Sequence, residues 1–295
     1  MKAVLDIGVL CIIVLMLGTV GMELEGRHFR AVAQRKGALL LTVAAQTLIL
    51  PALGFGLAHV MALPSHISAG VLLIAACPVG DIANFYTLLA RTNVALSVSV
   101  NALSILLSAA TMAVVFEVYH LLGGHFVFAV PTPTLFLRLT LMLALPLLVG
   151  MAIRRVWPGF VERHGNTARR IVLAGITCLL AYIMVTQHKR LAAEWQQTAV
   201  AAAVFMALAL LAGLAFGRLL RLSKDDTVTV GIGFAVRNVA LAMAIAVTLL
   251  NRIEYAVFAA VYFLTEVPLL LGAVAVYRMW RTQAVQRTDL AGTAR

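Results

Sequence analysis

The chain has 295 residues, 62% of them hydrophobic and 12% charged, where soluble globular domains are roughly half apolar and a quarter charged. Its 23 Lys and Arg against 12 Asp and Glu give a net charge of +11. In a soluble protein that excess would suggest a nucleic-acid partner, but here the basic residues fall in short connections between apolar stretches, where charge sets membrane topology. A soluble domain and a nucleic-acid binder are excluded, and so is a β-barrel, whose alternating segments of about ten residues are absent.

A helix needs roughly 17–25 apolar residues to cross a hydrocarbon core of about 30 Å. On that measure the sequence predicts an all-α polytopic membrane protein of about nine transmembrane helices, with spans at 3–22, 37–60, 67–90, 93–119, 131–153, 167–187, 196–220, 225–250 and 254–279. The first follows Lys2 and lacks an A-x-A cleavage pattern, so it reads as a retained span and not a signal peptide.

The connections after the odd-numbered spans hold 17 of the 23 basic residues, among them Arg27, Arg91, Arg154, Arg221 and Arg281. The other side carries Lys2, Arg138, Lys189, Arg190 and Arg252, while Arg237 lies deep within a span. The positive-inside rule then predicts an outer N-terminus and a cytoplasmic C-terminus in a cell inner (plasma) membrane.

Two spans are interrupted. The third contains Cys77-Pro78-Val79-Gly80-Asp81 and then Asn84; the eighth contains Gly231-Ile232-Gly233 and then Arg237-Asn238. Proline removes a donor and biases the residue before it towards extended backbone, and glycine admits backbone shapes closed to other residues, so Pro78, Gly80, Gly231 and Gly233 are the expected helix breaks. Broken helices in matching places of two halves are the mark of an inverted-repeat transporter, in which the breaks meet near mid-membrane. Spans one to four then correspond to six to nine, with the fifth as linker. The whole chain, 1–295, reads as one transmembrane unit, with core helices at about 67–119 and 196–279 and panel helices at about 3–60 and 131–187.

Cys11, Cys77 and Cys178 lie in apolar spans without metal-ligand spacing, so neither a disulfide framework nor a structural zinc is expected. His120 and His125 are expected in a solvated outer loop. Gln46, Ser97, Asn101, Ser104 and Thr111 are candidates either for lining a cavity or for joining helices by hydrogen bonds. Glu266, at membrane depth and followed by Pro268, is expected either to make a kink-associated hydrogen bond or to serve as a proton site.

The stretch ACPVGDIANFYTLLARTNVALSVSVNALSILLS resembles the sodium/bile acid symporter family, whose pattern reads CPGG-x-x-SN followed by LA-x-G-(N/D)-x-ALS-x-x-x-T. VGIGFAVRNVALAMAIA is similar to that family's E-x-G-x-QN-x-x-LA segment. The resemblance implies two crossed broken helices around which oxygen ligands hold sodium, hard cations being held by oxygen donors. This sequence keeps Asn84, Ser97 and Gln46 at such positions and shares Asn238 with the second segment, but carries Ala83 for Ser, Asn101 for Thr, Gly233 for Glu and Arg237 for Gln. One carboxylate is lost and a permanent cation gained, so no metal is expected and Arg237 reads as a built-in replacement for Na⁺.

A buried Arg needs a partner. Asp81, which the family pattern lacks, is the expected one, in a salt bridge across the crossing; alternatively Asp81 caps the second half-helix, or Arg237 binds a substrate carboxylate. The function implied is alternating-access transport of a small organic anion, a carboxylate or sulfonate, without conventional sodium coupling, with no cofactor and with H⁺ coupling one route. A Na⁺-coupled symporter and a non-transporting receptor of the same fold are the alternatives. A membrane enzyme is not expected, since H-E-x-x-H and G-x-S-x-G are absent. The bilayer and the anion are the expected partners, and the sequence assigns no oligomeric state.

Overall fold

A computed structural model describes residues 2–23, 36–121 and 132–292, and these are helical nearly throughout. In order come α1 (Lys2–Glu23), α2 (Lys36–Val60), α3 (Ser65–Ala76), α4 (Ile82–Ala90), α5 (Val94–Leu121), α6 (Thr132–Val156), α7 (Pro158–Thr186) and α8 (His188–Leu219). They are followed by α9 (Lys224–Ala235), α10 (Val239–Ala244) with a π-helical continuation (Ile245–Leu249), a 3₁₀ turn (Ile253–Tyr255) and α11 (Ala256–Gly292). Among the described residues, five helices are long and apolar enough to cross a membrane, at 37–60, 94–118, 158–186, 188–219 and 253–283. The interrupted spans are built from shorter apolar pieces, α3 with α4 and α9 with α10. Helices are the form such a chain must take in lipid, where each backbone group needs an internal partner.

The helices divide by packing. α1, α6 and α7 lie against one another, with α6 also packed on α5, while α2 to α5 and α8 to α11 form the larger group. α2, expected in the panel, packs instead against α3, α5 and α8. α1 meets α6 through glycines: a Cβ on Gly21 would overlap the backbone of Leu147, and one on Gly150 the backbone of Gly18. Small residues permit this approach, which gives van der Waals contact where lipid supplies no hydrophobic drive.

Two boundaries differ from expectation. α7 starts at Pro158 and α8 at His188, so Arg163, Lys189 and Arg190 are helical instead of lying between the expected spans. Charged side chains extend a helix past its apolar section because their long stems reach water from its end. His125 lies outside the described residues, and α5 runs through His120.

Connections that charge alternation assigns to one side meet at one end of the molecule. Arg169 donates to Glu23 at 2.5 Å, Asn93 Nδ2 to Asp226 at 2.7 Å, Tyr277 to Asp225 at 2.8 Å, and Arg281 to the Arg91 carbonyl at 2.7 Å. At the opposite end His66 pairs with Glu194 at 2.6 Å.

Candidate functional site

The two interrupted spans meet at their breaks. Val79 and Arg237 form an isolated antiparallel bridge, in which Gly80 N–H donates to the Val236 carbonyl at 3.2 Å and Asn238 N–H to the Pro78 carbonyl at 2.9 Å. Val79 N–H donates to Ser104 Oγ at 3.1 Å. Backbone groups freed by a break must be paired when buried, and here each break supplies partners for the other. Gly80 is required by proximity: a Cβ there would stand 2.8 Å from the Arg237 carbonyl oxygen.

The first break follows from its sequence. Cys77 is extended (φ −64, ψ 152), as a residue before proline prefers. The second break does not lie where its glycines suggest. α9 runs unbroken through Gly231 and Gly233 to Ala235, and the extended residue is Val236 (φ −89, ψ 110). Gly231 serves packing, since a Cβ on Gly213 of α8 would come within 2.8 Å of its Cα. The chain turns at Val236–Arg237 because those residues pair with the first break, and α10 restarts at Asn238, whose side chain accepts from Leu241 N–H at 3.0 Å as an N-cap does. Tyr262 of α11 donates to the Ala235 carbonyl at 2.5 Å, closing the end of α9.

The expected Asp81–Arg237 bridge is not formed. Arg237 is 4% exposed and its guanidinium donates to the Cys77 carbonyl at the end of α3 and to the Gly233 carbonyl at 3.4 Å in the last turn of α9. Asp81 is exposed and accepts from Asn101 Nδ2 at 2.7 Å; the charges that act on it are Glu23 and Arg169 of the α1/α6/α7 group. It occupies the N-cap position of α4 but its side chain makes no capping bond. With Cys77 and Val236 extended and the two breaks paired, the Arg237 side chain meets carbonyl oxygens, while Asp81 is engaged by Asn101. Two helix C-termini, each with the equivalent of about half a negative charge, offer a cation a favourable place even without a carboxylate.

A polar stripe on α5 follows the first break. Ser97 donates to Asn84 Oδ1 at 2.7 Å, Asn101 reaches Asp81, Ser104 holds Val79, and Thr111 bonds back to the Ser108 carbonyl at 3.0 Å. Gln46, 1% exposed, has both side-chain polar atoms unpartnered, as are Asn101 Oδ1 and Arg237 Nε. Gln46 and Arg237 border a small polar recess with Ser104 and Thr111.

Of the residues at the expected sodium positions, Gln46 is unpartnered and Asn84 and Ser97 are engaged. Asn84 Oδ1 and Ser97 Oγ are bonded to each other, Gly233 supplies no carboxylate, and a guanidinium occupies the helix ends. Among the described residues no group of three or more His, Cys, Asp and Glu could hold a metal ion.

Two cavities lie outside the crossing. An apolar crevice of about 790 Å³ runs along α1 and α6 to Thr248 and Leu249, beside a polar recess of about 260 Å³ lined by Glu23, Arg154, Asn166 and Arg169. The crevice is lined almost wholly by α1 and α6, with Thr248 and Leu249 at its edge.

Crossed half-helices that complete each other's hydrogen bonding are the geometry the sequence resemblance implies. The profile of the sodium bile acid symporter family matches residues 9–195. The chain belongs to that family. Its matched segment includes the first broken helix, while Gly233 and Arg237 of the second lie beyond it. An uncharacterized sodium-dependent transporter, YocS, of Bacillus subtilis is 24% identical over 233 residues, covering 79% of this chain and 71% of the relative. The probable chloroplastic sodium/metabolite cotransporter BASS2 of rice is 26% identical over 271 residues, covering 92% of this chain and 63% of the relative. Rice BASS1, a probable chloroplastic cotransporter of the same kind, is 26% identical over 201 residues, 67% of this chain and 48% of its own length. This symporter-family member is thus a multi-pass α-helical membrane protein of a transporter family.

Sequence reasoning missed Tyr262, which joins α11 to the break, and the carbonyls that hold Arg237. A tyrosine hydroxyl inside an apolar span is itself a signal, since buried Tyr usually finds a hydrogen-bond partner; backbone acceptors carry no sequence signal.

Proposed function

We propose that the protein is a secondary transporter of a small organic anion, working by alternating access between the α1/α6/α7 group and the larger core, with Arg237 in place of a coupling sodium ion. The observation that carries this reading is the buried Arg237 guanidinium, bonded to carbonyls at the ends of both broken helices. Unwound carbonyls and half-helix C-termini are where transporters of this design coordinate a cation. A second unit charge about 4 Å from the guanidinium would meet about 4 kcal/mol of repulsion even at an effective dielectric of 20. The names of the relatives support a metabolite as cargo, and the loss of the carboxylate at Gly233 supports sodium independence. Arg237 Nε, the one guanidinium nitrogen without a partner, supports a substrate carboxylate or sulfonate as the counter-ion during turnover. The proposed location is the inner (plasma) membrane with the basic end cytoplasmic.

The test is uptake of labelled acetate, succinate, methanesulfonate and taurocholate into proteoliposomes, with Na⁺ replaced by K⁺ in parallel. Uptake of at least one of them at equal rates in both salts is the expected result. Strong stimulation by Na⁺ would return the protein to sodium symport and overturn the role given to Arg237; binding without flux would make it a receptor. In the double variant Gly233→Glu with Arg237→Gln, Na⁺ stimulation is expected to emerge.

A further inference from the structure

Glu266 lies about ten residues into α11 and takes no part in the crossing. It has no exposed surface, and neither carboxyl oxygen has a hydrogen-bond partner. The kink-associated bond expected from the proximity of Pro268 is not made. An ionised carboxylate without a donor is among the costliest groups a protein can bury. That cost favours the carboxylic acid form in the arrangement seen here.

Its surroundings tie it to the broken helices. The titratable groups on which it acts are Tyr86 of α4, the second half of the first broken helix, and Tyr262, one turn earlier on α11. Tyr262 closes the end of α9 through the Ala235 carbonyl and also feels the charge of Arg237. α11 packs against α3, α4, α7, α8 and α10. The ionisable residues of α3 and α8 lie towards the ends of those helices, where His66 pairs with Glu194; α7 carries Arg169, paired with Glu23, and beside it Arg170, with Cys178 and Tyr182 further along; α10 has none. Tyr86 and Tyr262, with Arg237 behind Tyr262, are thus the groups that sense a change of charge on Glu266, and both tyrosines belong to elements that pack at the crossing.

We propose that Glu266 is a proton-binding site that couples movement of the broken helices to H⁺. Resting on the transport reading above, the inference names what replaces sodium as the driving ion. The step is the transfer of a proton from water to one carboxylate oxygen and back. The acid form is compatible with the closed, dry packing of α11 against α4, and the ionised form requires water to reach the carboxylate, which rearranges the contacts of Tyr86 and Tyr262.

Two measurements on the purified full-length protein in proteoliposomes test this. Infrared spectra in H₂O and D₂O, recorded through neutral pH, are expected to show a carboxylic C=O band that titrates and is missing from Glu266→Gln. Identical spectra for the two proteins would overturn the site whatever the protein transports. In the second measurement, uptake of succinate, methanesulfonate and taurocholate is driven by a gradient of about one pH unit, acid outside, which for one proton per cycle raises accumulation about tenfold. Glu266→Gln is expected to lose that stimulation and Glu266→Asp, checked for the same elution profile, to retain it. Gradient-independent uptake identical in wild type and Glu266→Gln would overturn the coupling and leave the transport reading standing. Uptake of none of the probes would overturn transport, while the infrared band still decides whether Glu266 binds a proton.

Discussion

The two broken helices reach the same crossing by different physical routes. In the first, Pro78 biases Cys77 to extended backbone and Gly80 lets the other chain approach, so the break is written locally. In the second, two glycines that read as breakers lie inside a continuous helix, and the chain opens only at Val236, where it pairs with the first break. A break can therefore be imposed by its neighbour. What sustains it is then a set of tertiary hydrogen bonds, from Arg237, Asn238 and Tyr262, in place of local backbone preference.

Arg237→Leu is the strongest way to break that symmetry. It leaves the Cys77 and Gly233 carbonyls without a donor, at about 1–3 kcal/mol each, and uptake into proteoliposomes is expected to fall to background along with the melting temperature in detergent. Gly80→Ala comes next. Its Cβ would stand 2.8 Å from the Arg237 carbonyl oxygen, and over-packing of this kind costs about 1–3 kcal/mol, read as a lower melting temperature with helical circular dichroism retained at low temperature. If Gly80→Ala were silent, the crossing would not be as tight as the bridge between Val79 and Arg237 implies.

Tyr262→Phe removes only the donor to Ala235 and should cost about 1 kcal/mol; an effect as large as that of Arg237→Leu would move the anchor of the second break from Arg237 to α11. The smallest effect comes from the presumed breakers. Gly233→Ala places a Cβ no closer than 3.6 Å to Gln46 Nε2 and, within a helix, is expected to be neutral or to stabilise by up to about 1 kcal/mol. Gly231→Ala would meet Leu214 Cδ2 at 2.9 Å and should lower stability instead. If Gly233→Ala proved the more damaging of the pair, Gly233 would have a conformational role that its place inside α9 does not show.

Much of the fold was legible because it follows from one-dimensional quantities. Apolar stretches of spanning length, alternating basic connections and a Pro-Gly interruption each act over a few residues, and helices of the expected kind and order follow from them. The polar residues on α5 were legible as candidates, and Ser97, Asn101, Ser104 and Thr111 share a helix face. Their partners were not: Asp81 turned out to meet Asn101 and not Arg237, because the direction of a side chain beside a break depends on how the extended segments pair. Basic residues such as Arg163 and Arg190 read as loop yet belong to helices, because hydropathy locates the apolar section of a helix and not its charged ends.

By itself, then, the sequence determined that this chain is a helical membrane protein with polar, interrupted spans, since the cost of placing charge and unpaired backbone in hydrocarbon leaves no other arrangement. Only the tertiary structure decided where the second break falls, that α2 joins the larger group, and that Arg237 is held by helix-end carbonyls. Those outcomes depend on backbone groups, which are the same in every residue, and on which of them a neighbouring segment leaves without a partner.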